Sequence, residues 1–182
     1  MKIKTQRLLL HVPSANDAQK LYNYYRKNLP YLKKWFVDQP AGAYELEILK
    51  DHLSRCEQKF NEEKEVKFFI CKNEQPDLLT GELTFSNILK GGFLSCYAGY
   101  HLDEHQQGKG IMTEALIAGT DFIFRKLKLH RIEANIMPAN FASQKVATKA
   151  GFYKEGISAR YLKINGCWED HLRYVIFNPA ME

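Results

Sequence analysis

The chain has 182 residues, 45% of them hydrophobic, with only 6 Pro and 11 Gly, a composition that predicts a single domain over residues 1–182. No apolar run approaches the roughly 20 residues that span a bilayer, and residues 1–7 lack the apolar core of a secretory signal, so we expect a cytoplasmic protein. The net charge of +5 suits a phosphorylated cofactor or RNA, yet many other proteins are equally basic.

The first third of the chain predicts one strand followed by two helices. Arg7 to Val12 is typical of a strand, and Ser14 with Asp17 three residues later forms the signature of a helix start. A second helix is predicted over Glu45 to Asn61, where apolar residues recur every three or four positions. The aromatic and basic segment between the helices either forms one wall of an acceptor cleft or packs on the core, and core packing is favoured. Its residues are Tyr31, Lys33, Lys34, Trp35 and Phe36.

Three strands are predicted next, followed by a glycine-containing segment and a helix. The strands are Val66 to Cys71, Leu78 to Ser86 and Phe93 to Leu102. Their short, turn-like links indicate an antiparallel meander. The helix after the glycines runs to about Lys128 along an apolar stripe.

The last third predicts a strand, a helix and a hairpin. Arg131 to Met137 alternates as a strand, Pro138 ends it, and Asn140 begins a helix. Strands Phe152 to Ile164 and Trp168 to Phe177 follow, joined by Asn165-Gly166, a strong hairpin signal. The fold class is therefore mixed α+β.

The segment Gln107 to Thr113 lies between a predicted strand and a predicted helix. Gly108 and Gly110 leave room for a phosphate to approach backbone N–H groups, and the helix start adds free donors. Lys109 adds a cation and Thr113 a hydroxyl donor. The spacing fits neither the Rossmann fingerprint nor the P-loop, and two glycines alone more often form a tight turn than a ligand site.

Four blocks resemble the GNAT acetyltransferase superfamily in order and spacing. They are Thr5 to Leu10, Ala98 to Ala115, Met137 to Ser143 and Ala150 to Gly156. The resemblance implies a central, mixed, mostly antiparallel sheet of six to seven strands flanked by about four helices. The fourth and fifth strands of such a sheet splay apart.

Further residues resemble the RimJ/RimL branch, the ribosomal-protein alanine N-acetyltransferases, and the RimJ type fits better than RimL. They are Gly81 to Asn87, His130 to Ile132 and Tyr161 to His171. One departure is His105, where the superfamily has Gln or Arg three residues before the first loop glycine. We expect little effect, since backbone N–H groups hold most of the phosphate oxygens.

The resemblance implies acetyl-CoA as the co-substrate and no metal. The pyrophosphate would lie on the glycine segment, and the pantetheine arm would pair with the splayed strand like an added strand. The residues expected to contact acetyl-CoA are Tyr100, His101, Leu102, Gln107, Gly108, Lys109, Gly110, Ile111, Met112, Thr113, Asn140 and Ser143. The scattered cysteines, Cys56, Cys71, Cys96 and Cys167, predict reduced, mostly buried thiols rather than metal ligands.

Three catalytic residues are expected if an amine attacks the thioester directly. The backbone N–H near Tyr100 would polarise the carbonyl as an oxyanion hole does. Ser143 would protonate the thiolate, although a helix-start serine without a chemical role is an equal alternative. Glu82 is the first candidate base, although a solvent-facing strand residue is the favoured interpretation.

Other polar residues near these blocks receive weaker assignments. Asp170 and His171 either orient the substrate amine or pair structurally, and structural pairing is favoured. RimL-type enzymes have a candidate glutamate at a position that here corresponds to Leu162. Neither His101 nor His105 is assigned a proton-transfer role.

The leading function is acetylation of an N-terminal alanine on a ribosomal protein, with possible association with the ribosome. Two alternatives stay open: acetylation of a small-molecule amine on the same scaffold, and a ribosome-assembly factor that binds RNA and acetyl-CoA without turnover. We expect no membrane or specific DNA partner, and a monomer or homodimer.

Overall fold

One mostly antiparallel sheet of eight strands runs through the computed structural model, which describes residues 1–182. The strands are β1 (Lys2–Lys4), β2 (Leu8–His11), β3 (Val66–Lys72), β4 (Gln75–Leu89), β5 (Ser95–Leu102), β6 (Arg131–Ile136), β7 (Tyr153–Ile164) and β8 (Cys167–Phe177). Their spatial order is β1-β2-β3-β4-β5-β6-β8-β7, and only β5 and β6 pair in parallel. The mixed α+β class is confirmed.

The sheet has one strand more than the six to seven expected. The additional strand is β1, whose Ile3 lies opposite Leu10 of β2. Strand β1 has a single apolar residue between two lysines, which is too short a pattern of alternation to predict a strand. Its extended conformation is evident only from its pairing with β2.

Four helices flank the sheet: α1 (Ala18–Leu32), α2 (Leu46–Asn61), α3 (Ile111–Phe122) and α4 (Phe141–Lys149). The Asp17 carboxylate accepts a hydrogen bond from the Ser14 N–H at 3.1 Å, just before α1. Asn140 caps α4, as expected for the start of that helix, because its Oδ1 accepts from the Ser143 N–H at 3.1 Å. Both helix starts are therefore confirmed.

The helices cover opposite faces of the sheet. Phe68 of β3 belongs to the core under α3 and α4, whereas the neighbouring Phe69 belongs to the core under α1 and α2. Helix α3 lies very close to β4: a Cβ on Gly119 would be 2.6 Å from Leu83 and 2.9 Å from Phe85. This close approach holds the last turn of α3 against β4.

Strands β5 and β6 separate partway along their length. They pair from Ser95 with Arg131 to Tyr97 with Glu133, and residues 98–102 and 134–136 face one another without pairing. Without β1 in the count, these are the fourth and fifth strands, so the expected splay is confirmed. No helix is long and apolar enough to cross a membrane.

Candidate active site

A cavity of about 1000 Å³ lies at the gap between β5 and β6 and is lined from both faces of the sheet. On the α3 side it is lined by the glycine segment and the first turns of α3 and α4. On the α1 side it is lined by the end of α1, the segment that follows, and one side chain each from β4, β5, β6 and β8. These four side chains are Thr84, His101, Asn135 and His171.

The alternation of side chains along the strands assigns Asn135 and His171 to the α1 side. Ala134 of β6 and Leu172 of β8 pack in the core under α3 and α4. Adjacent residues of a strand point to opposite faces, so Asn135 and His171 point away from that core. The cavity is therefore continuous through the sheet.

The glycine segment forms an open cradle at the start of α3. Gly108 and Gly110 have φ of +73° and +74°, and a Cβ on Gly108 would meet nothing within 4 Å. The N–H groups from Gly108 to Thr113 donate to no acceptor outside the helix, and the first turn of a helix offers them no partner within it. Open space beside free donors at a helix start fits a pyrophosphate.

The ammonium of Lys109, expected beside the phosphates, points elsewhere. It donates to the carbonyl of His105 at 2.8 Å and to Gln106 Oε1 at 3.4 Å, and Lys109 does not line the cavity. The other eleven residues expected to contact acetyl-CoA do line it. Lys109 therefore steadies the turn before Gly108.

An arginine that the sequence did not single out braces the same segment. Arg7 donates from Nη1 to the carbonyl of Lys109 at 2.9 Å and pairs through Nε with Glu114 at 2.6 Å. The Thr5 hydroxyl also donates to Glu114, at 2.6 Å. Arg7 and Glu114 both lie in blocks that resemble the superfamily, but no local pattern predicts a contact between residues 107 positions apart.

The unpaired edge of β5 presents backbone donors to the gap. The N–H of Asp103 donates to Thr80 on β4 at 2.8 Å, and successive N–H groups of a strand alternate between its two neighbours. The N–H groups of Ala98, Tyr100 and Leu102 therefore point towards β6 across the gap. They can bind a carbonyl or an extended ligand there.

Three side chains at the α4 end of the cavity have complementary hydrogen bonds. The Tyr100 hydroxyl donates to the carbonyl of Ser143 at 2.9 Å. Asn140 uses its oxygen as the cap of α4, which leaves its NH₂ group free. The Ser143 hydroxyl has no protein partner and lines the cavity. The structure thus brings together Tyr100, Asn140 and Ser143 as expected from the sequence.

The interpretation of Glu82 as solvent-facing is wrong, because its side chain is 1% exposed. It accepts hydrogen bonds from Tyr25 at 2.8 Å and from Lys67 at 2.9 Å, and its Oε1 lies 3.4 Å from His101 Nε2. Burial raises the pKa of Glu82, but the Lys67 ammonium, His101 and these hydrogen bonds outweigh it and hold the pKa well below its usual range. Glu82 does not line the cavity.

His101 lies between Glu82 and the cavity, with both ring nitrogens engaged. Nδ1 is 3.0 Å from the Tyr24 hydroxyl, and Nε2 faces Glu82. Burial lowers the pKa of His101 to about 4, although the Glu82 carboxylate raises it. The ring is neutral at neutral pH and fills the wall of the cavity.

The aromatic segment after α1 lines the cavity and also packs on the core, the interpretation favoured from the sequence. Tyr31, Trp35 and Phe36 line the cavity, and Tyr31 and Phe36 also pack against the core under α1 and α2. The Asp38 carboxylate, a few residues on, accepts hydrogen bonds from the N–H groups of Asn165 and Gly166, both at 3.1 Å. These two hydrogen bonds join the segment to the β7–β8 hairpin.

Asp170 and His171 have different environments although they are adjacent. The Asp170 carboxylate accepts from the N–H of Arg160 at 2.8 Å and so pairs structurally, as favoured. His171 lines the cavity instead. No group of three or more His, Cys, Asp or Glu side chains is placed to hold a metal ion. All four cysteines are free, and all but Cys167 are buried.

Comparison with known proteins identifies the family. A family model described as "Acetyltransferase (GNAT) domain" matches residues 7–153, and the chain belongs to this family. It is 34% identical over 180 residues to a probable N-acetyltransferase, YjcK, of Bacillus subtilis, covering 99% of both chains. It is 32% identical over 179 residues to the ribosomal protein uS5-alanine N-acetyltransferase of Escherichia coli, covering 98% of this chain and 92% of that protein.

Solved structures with the same fold give a similar picture. The ribosomal-protein-S5-alanine acetyltransferase of Vibrio fischeri is 31% identical, with a TM-score of 0.93 over 100% of this chain and 99% of that chain. RimJ of Mycobacterium smegmatis, solved with a CoA disulfide, is 27% identical, with a TM-score of 0.89 over 96% of this chain and 83% of that one. The protein is thus a RimJ-type acyltransferase that uses acetyl-CoA, which confirms the expected enzyme class and co-substrate.

Proposed function

We propose that this enzyme acetylates an N-terminal α-amine, with the N-terminal alanine of ribosomal protein uS5 as its acceptor. The observation that carries this proposal is the cavity that continues through the sheet, because it gives an amine on the α1 side access to a thioester held on the α3 side. The relatives named for S5-alanine acetylation match nearly the whole chain, which supports the same acceptor here. A ribosomal acceptor implies a reaction in the cytoplasm.

Acetyl-CoA would enter from the α3 side. The free N–H groups from Gly108 to Thr113 and the partial positive charge of the α3 start suit its pyrophosphate. The pantetheine amides would pair with the open edge of β5, and the free NH₂ group of Asn140 would donate to the same arm. The thioester would then lie in the gap beside Tyr100.

The acceptor would enter from the α1 side, between the aromatic segment and the β7–β8 hairpin. Tyr31 and Trp35 line this end, so they would flank the first residues of a peptide. An α-amine has a pKa of about 7.7 to 8.0, so on the order of a tenth of it is neutral at pH 7. A lysine amine, with a pKa near 10.4, would need a much stronger base.

The chemistry would proceed by direct attack in a ternary complex. An N–H group of the open β5 edge, that of Tyr100 in our proposal, would stabilise the developing oxyanion. The unpartnered hydroxyl of Ser143 would pass a proton to the departing sulfur. Glu82 would act behind His101, holding that ring and Lys67, because it does not line the cavity.

The experiment that tests the acceptor follows free thiol release from acetyl-CoA with a matched set of amines. The set contains a peptide with the uS5 N-terminus, the same peptide with its α-amine already acetylated, a lysine peptide with a blocked N-terminus, and small amines. We expect release with the free uS5 peptide alone. Release with small amines only would favour the small-molecule alternative. Salt-sensitive RNA binding and acetyl-CoA binding without release would favour the assembly factor.

A further inference from the structure

His171 presents one ring nitrogen to the cavity and is fixed by the other. Nδ1 lies 3.0 Å from the backbone carbonyl of Glu169, and a carbonyl oxygen only accepts hydrogen bonds. In the neutral ring Nδ1 therefore carries the proton and Nε2 carries the lone pair. His171 is only 3% exposed and lines the cavity, and its Nε2 has no protein partner. A histidine that acts as a general base has this arrangement, with one nitrogen fixed by a hydrogen bond and the lone pair of the other available to accept a proton.

Asn135 lines the same cavity and has an unpaired acceptor. Its NH₂ group donates to Glu133 Oε1 at 2.9 Å and faces the Tyr161 hydroxyl at 3.3 Å, which fixes the orientation of the amide. Its Oδ1 is buried and has no partner, an uncommon and costly state for a buried oxygen. Asn135 is the first residue on its face beyond the last β5–β6 pair, so the residue lies at the gap.

Strand register and one tyrosine bring these two side chains together. Asn135 is opposite Arg173 on β8, so His171 is its diagonal neighbour on the same face, roughly 7–8 Å away between backbones. The ring of Tyr161 lies 5.5 Å from that of His171, while its hydroxyl reaches Asn135. Asp170 stabilises the irregularity in β7 that precedes Tyr161, because its carboxylate binds the N–H of Arg160, which has φ of +49°.

We propose that Nε2 of His171 takes the proton from the acceptor ammonium, and that Oδ1 of Asn135 holds the same ammonium by a hydrogen bond. The proposal rests on an amine acceptor, and it adds the base that the acetyl transfer needs. One ammonium carries three donors, so it satisfies the Asn135 oxygen and the His171 lone pair together. This assigns to β6 and β8 the proton transfer that Glu82, behind the wall of the cavity, is not placed to perform.

The protons and bonds balance. The ammonium gives one proton to His171 Nε2, and the freed lone pair forms the nitrogen–carbon bond as the carbonyl pair moves onto oxygen. The oxyanion then collapses, the carbon–sulfur bond breaks, and the second proton on nitrogen reaches the sulfur through Ser143. The imidazolium releases its proton to water. The sum is ammonium plus thioester giving amide, thiol and one proton.

The test compares His171→Ala, His171→Gln and the control His130→Ala at pH 6.5 and pH 9. The control removes a histidine that stacks on Phe177 and binds Glu182, outside the cavity. Without the base only neutral amine reacts, and its fraction rises about 20-fold, from roughly 5% to more than about nine-tenths. We expect kcat/KM for the His171 variants to fall about 100-fold at pH 6.5 and about fivefold at pH 9.

The pH readout depends on the groups around His171, and all of them stay in the variants. The titratable or charged side chains that flank it or line the same end of the cavity are Tyr31, His101, Glu133, Tyr161, Asp170 and Arg173. Added imidazole should restore part of the activity of His171→Ala in a saturable way and leave His130→Ala unchanged. The rescue should follow the concentration of neutral imidazole as the pH is raised, which separates a base from a group that only fills the vacated space.

Two further results keep the inference distinct from the acceptor proposal. If the uS5 peptide is inert and another amine is acetylated, the acceptor proposal fails and the His171 comparison is made with that amine. Asn135→Leu should raise the KM of the amine about tenfold or more while the Kd of acetyl-CoA stays within about twofold, as the lost hydrogen bond is to a charge. The proposal would be overturned by two results together. The first is an equal loss of kcat/KM at both pH values in His171→Gln that is folded and binds acetyl-CoA. The second is the absence of imidazole rescue in His171→Ala.

Discussion

The ion pair between Glu82 and Lys67 lies behind His101 in the wall of the cavity, and the cost of its removal can be estimated. Glu82→Gln keeps the size of the side chain but leaves the Lys67 ammonium, 12% exposed, without a counter-charge. Breaking a buried pair from one side costs about 3–5 kcal/mol, and the slight exposure of Lys67 favours the lower end. At roughly 2–4 °C per kcal/mol for a chain of this size, we expect Tm to fall by about 6–12 °C.

The double variant Glu82→Gln with Lys67→Met separates the effect of the unpaired Lys67 charge from the effect of the altered side-chain packing. It removes both charges, so most of the lost free energy of unfolding should return. The measurement is urea unfolding of the wild type, both variants and the control Arg125→Met. Arg125 pairs with Asp121 at 2.6 Å on the surface, and an exposed pair of this kind contributes about 0.5 kcal/mol.

The dependence on pH gives a second readout of the same pair. The pKa of Glu82 is lowered in the folded protein, to about 2, because Lys67, His101 and Tyr25 together outweigh the effect of burial. Its contribution to stability is therefore complete above the unfolded pKa of about 4.5 and is lost as the pH falls towards 2. The difference between wild type and Glu82→Gln should shrink over that range.

Two outcomes would refute this reasoning. A loss below about 1 kcal/mol in Glu82→Gln would mean that the Lys67 ammonium finds another partner or water. Recovery of stability in the double variant without recovery of turnover would mean that Glu82 takes part in the chemistry, contrary to its position behind His101. We expect both properties to recover together.

Three substitutions test the two sides of the cavity separately. Gly99→Val adds a side chain on the α1 side of β5, where a Cβ meets nothing within 4 Å. Calorimetry should show acetyl-CoA affinity within about twofold of the wild type, while the rate of acetylation falls at least about 100-fold. An undiminished rate of acetylation would contradict the acceptor path. Gly110→Val should abolish acetyl-CoA binding and, because φ is +74°, also cost about 1–3 kcal/mol of stability; retained affinity would contradict the cradle. Ser143→Ala should lower kcat more than acetyl-CoA affinity, and an unchanged kcat would eliminate Ser143 as the acid.

The sequence predicts the elements that depend on local periodicity and misses the contacts made across the sheet. Alternation and capping residues located the helix starts at Ser14 and Asn140, and both agree with the structure. The partners of Glu82 could not be found in this way, because Tyr25 and Lys67 come from a different helix and strand. From sequence alone, a carboxylate in an apolar strand is therefore predicted to face solvent. Only the tertiary structure shows the buried cation that pairs with it.

For the same reason, the sequence does not predict that His171 and Asn135 lie close together. Each is one polar residue in an alternating strand, a pattern typical of an exposed face. Their proximity follows from the order β6-β8-β7, in which the last strand inserts beside β6, and from the irregularity that displaces Tyr161. Neither feature leaves a mark in local composition. The motif Trp168 to His171 was visible, but its roles depend on these tertiary contacts.

The single parallel pair in the sheet accounts for the position of the whole site. A parallel connection needs a crossover, and here the chain leaves β5, passes the glycine segment and returns through α3 to β6. The start of α3, with its free donors, therefore lies at the carboxyl end of β5. The pairing of β5 with β6 ends near the same point, so the open strand edge and the anion cradle are neighbours by topology.

On the α1 side of the sheet, side chains of β8 lie near the same gap, because β8 pairs with β6. Because β8 pairs with the outer edge of β6, side chains such as His171 lie one strand away from the opening. A thioester bound on the open edge of β5 and an amine held from β6 and β8 would then meet inside the sheet, where neither face alone provides all the groups. We therefore propose direct transfer in a ternary complex, since donor and acceptor would approach one point from opposite sides and need no carrier between them.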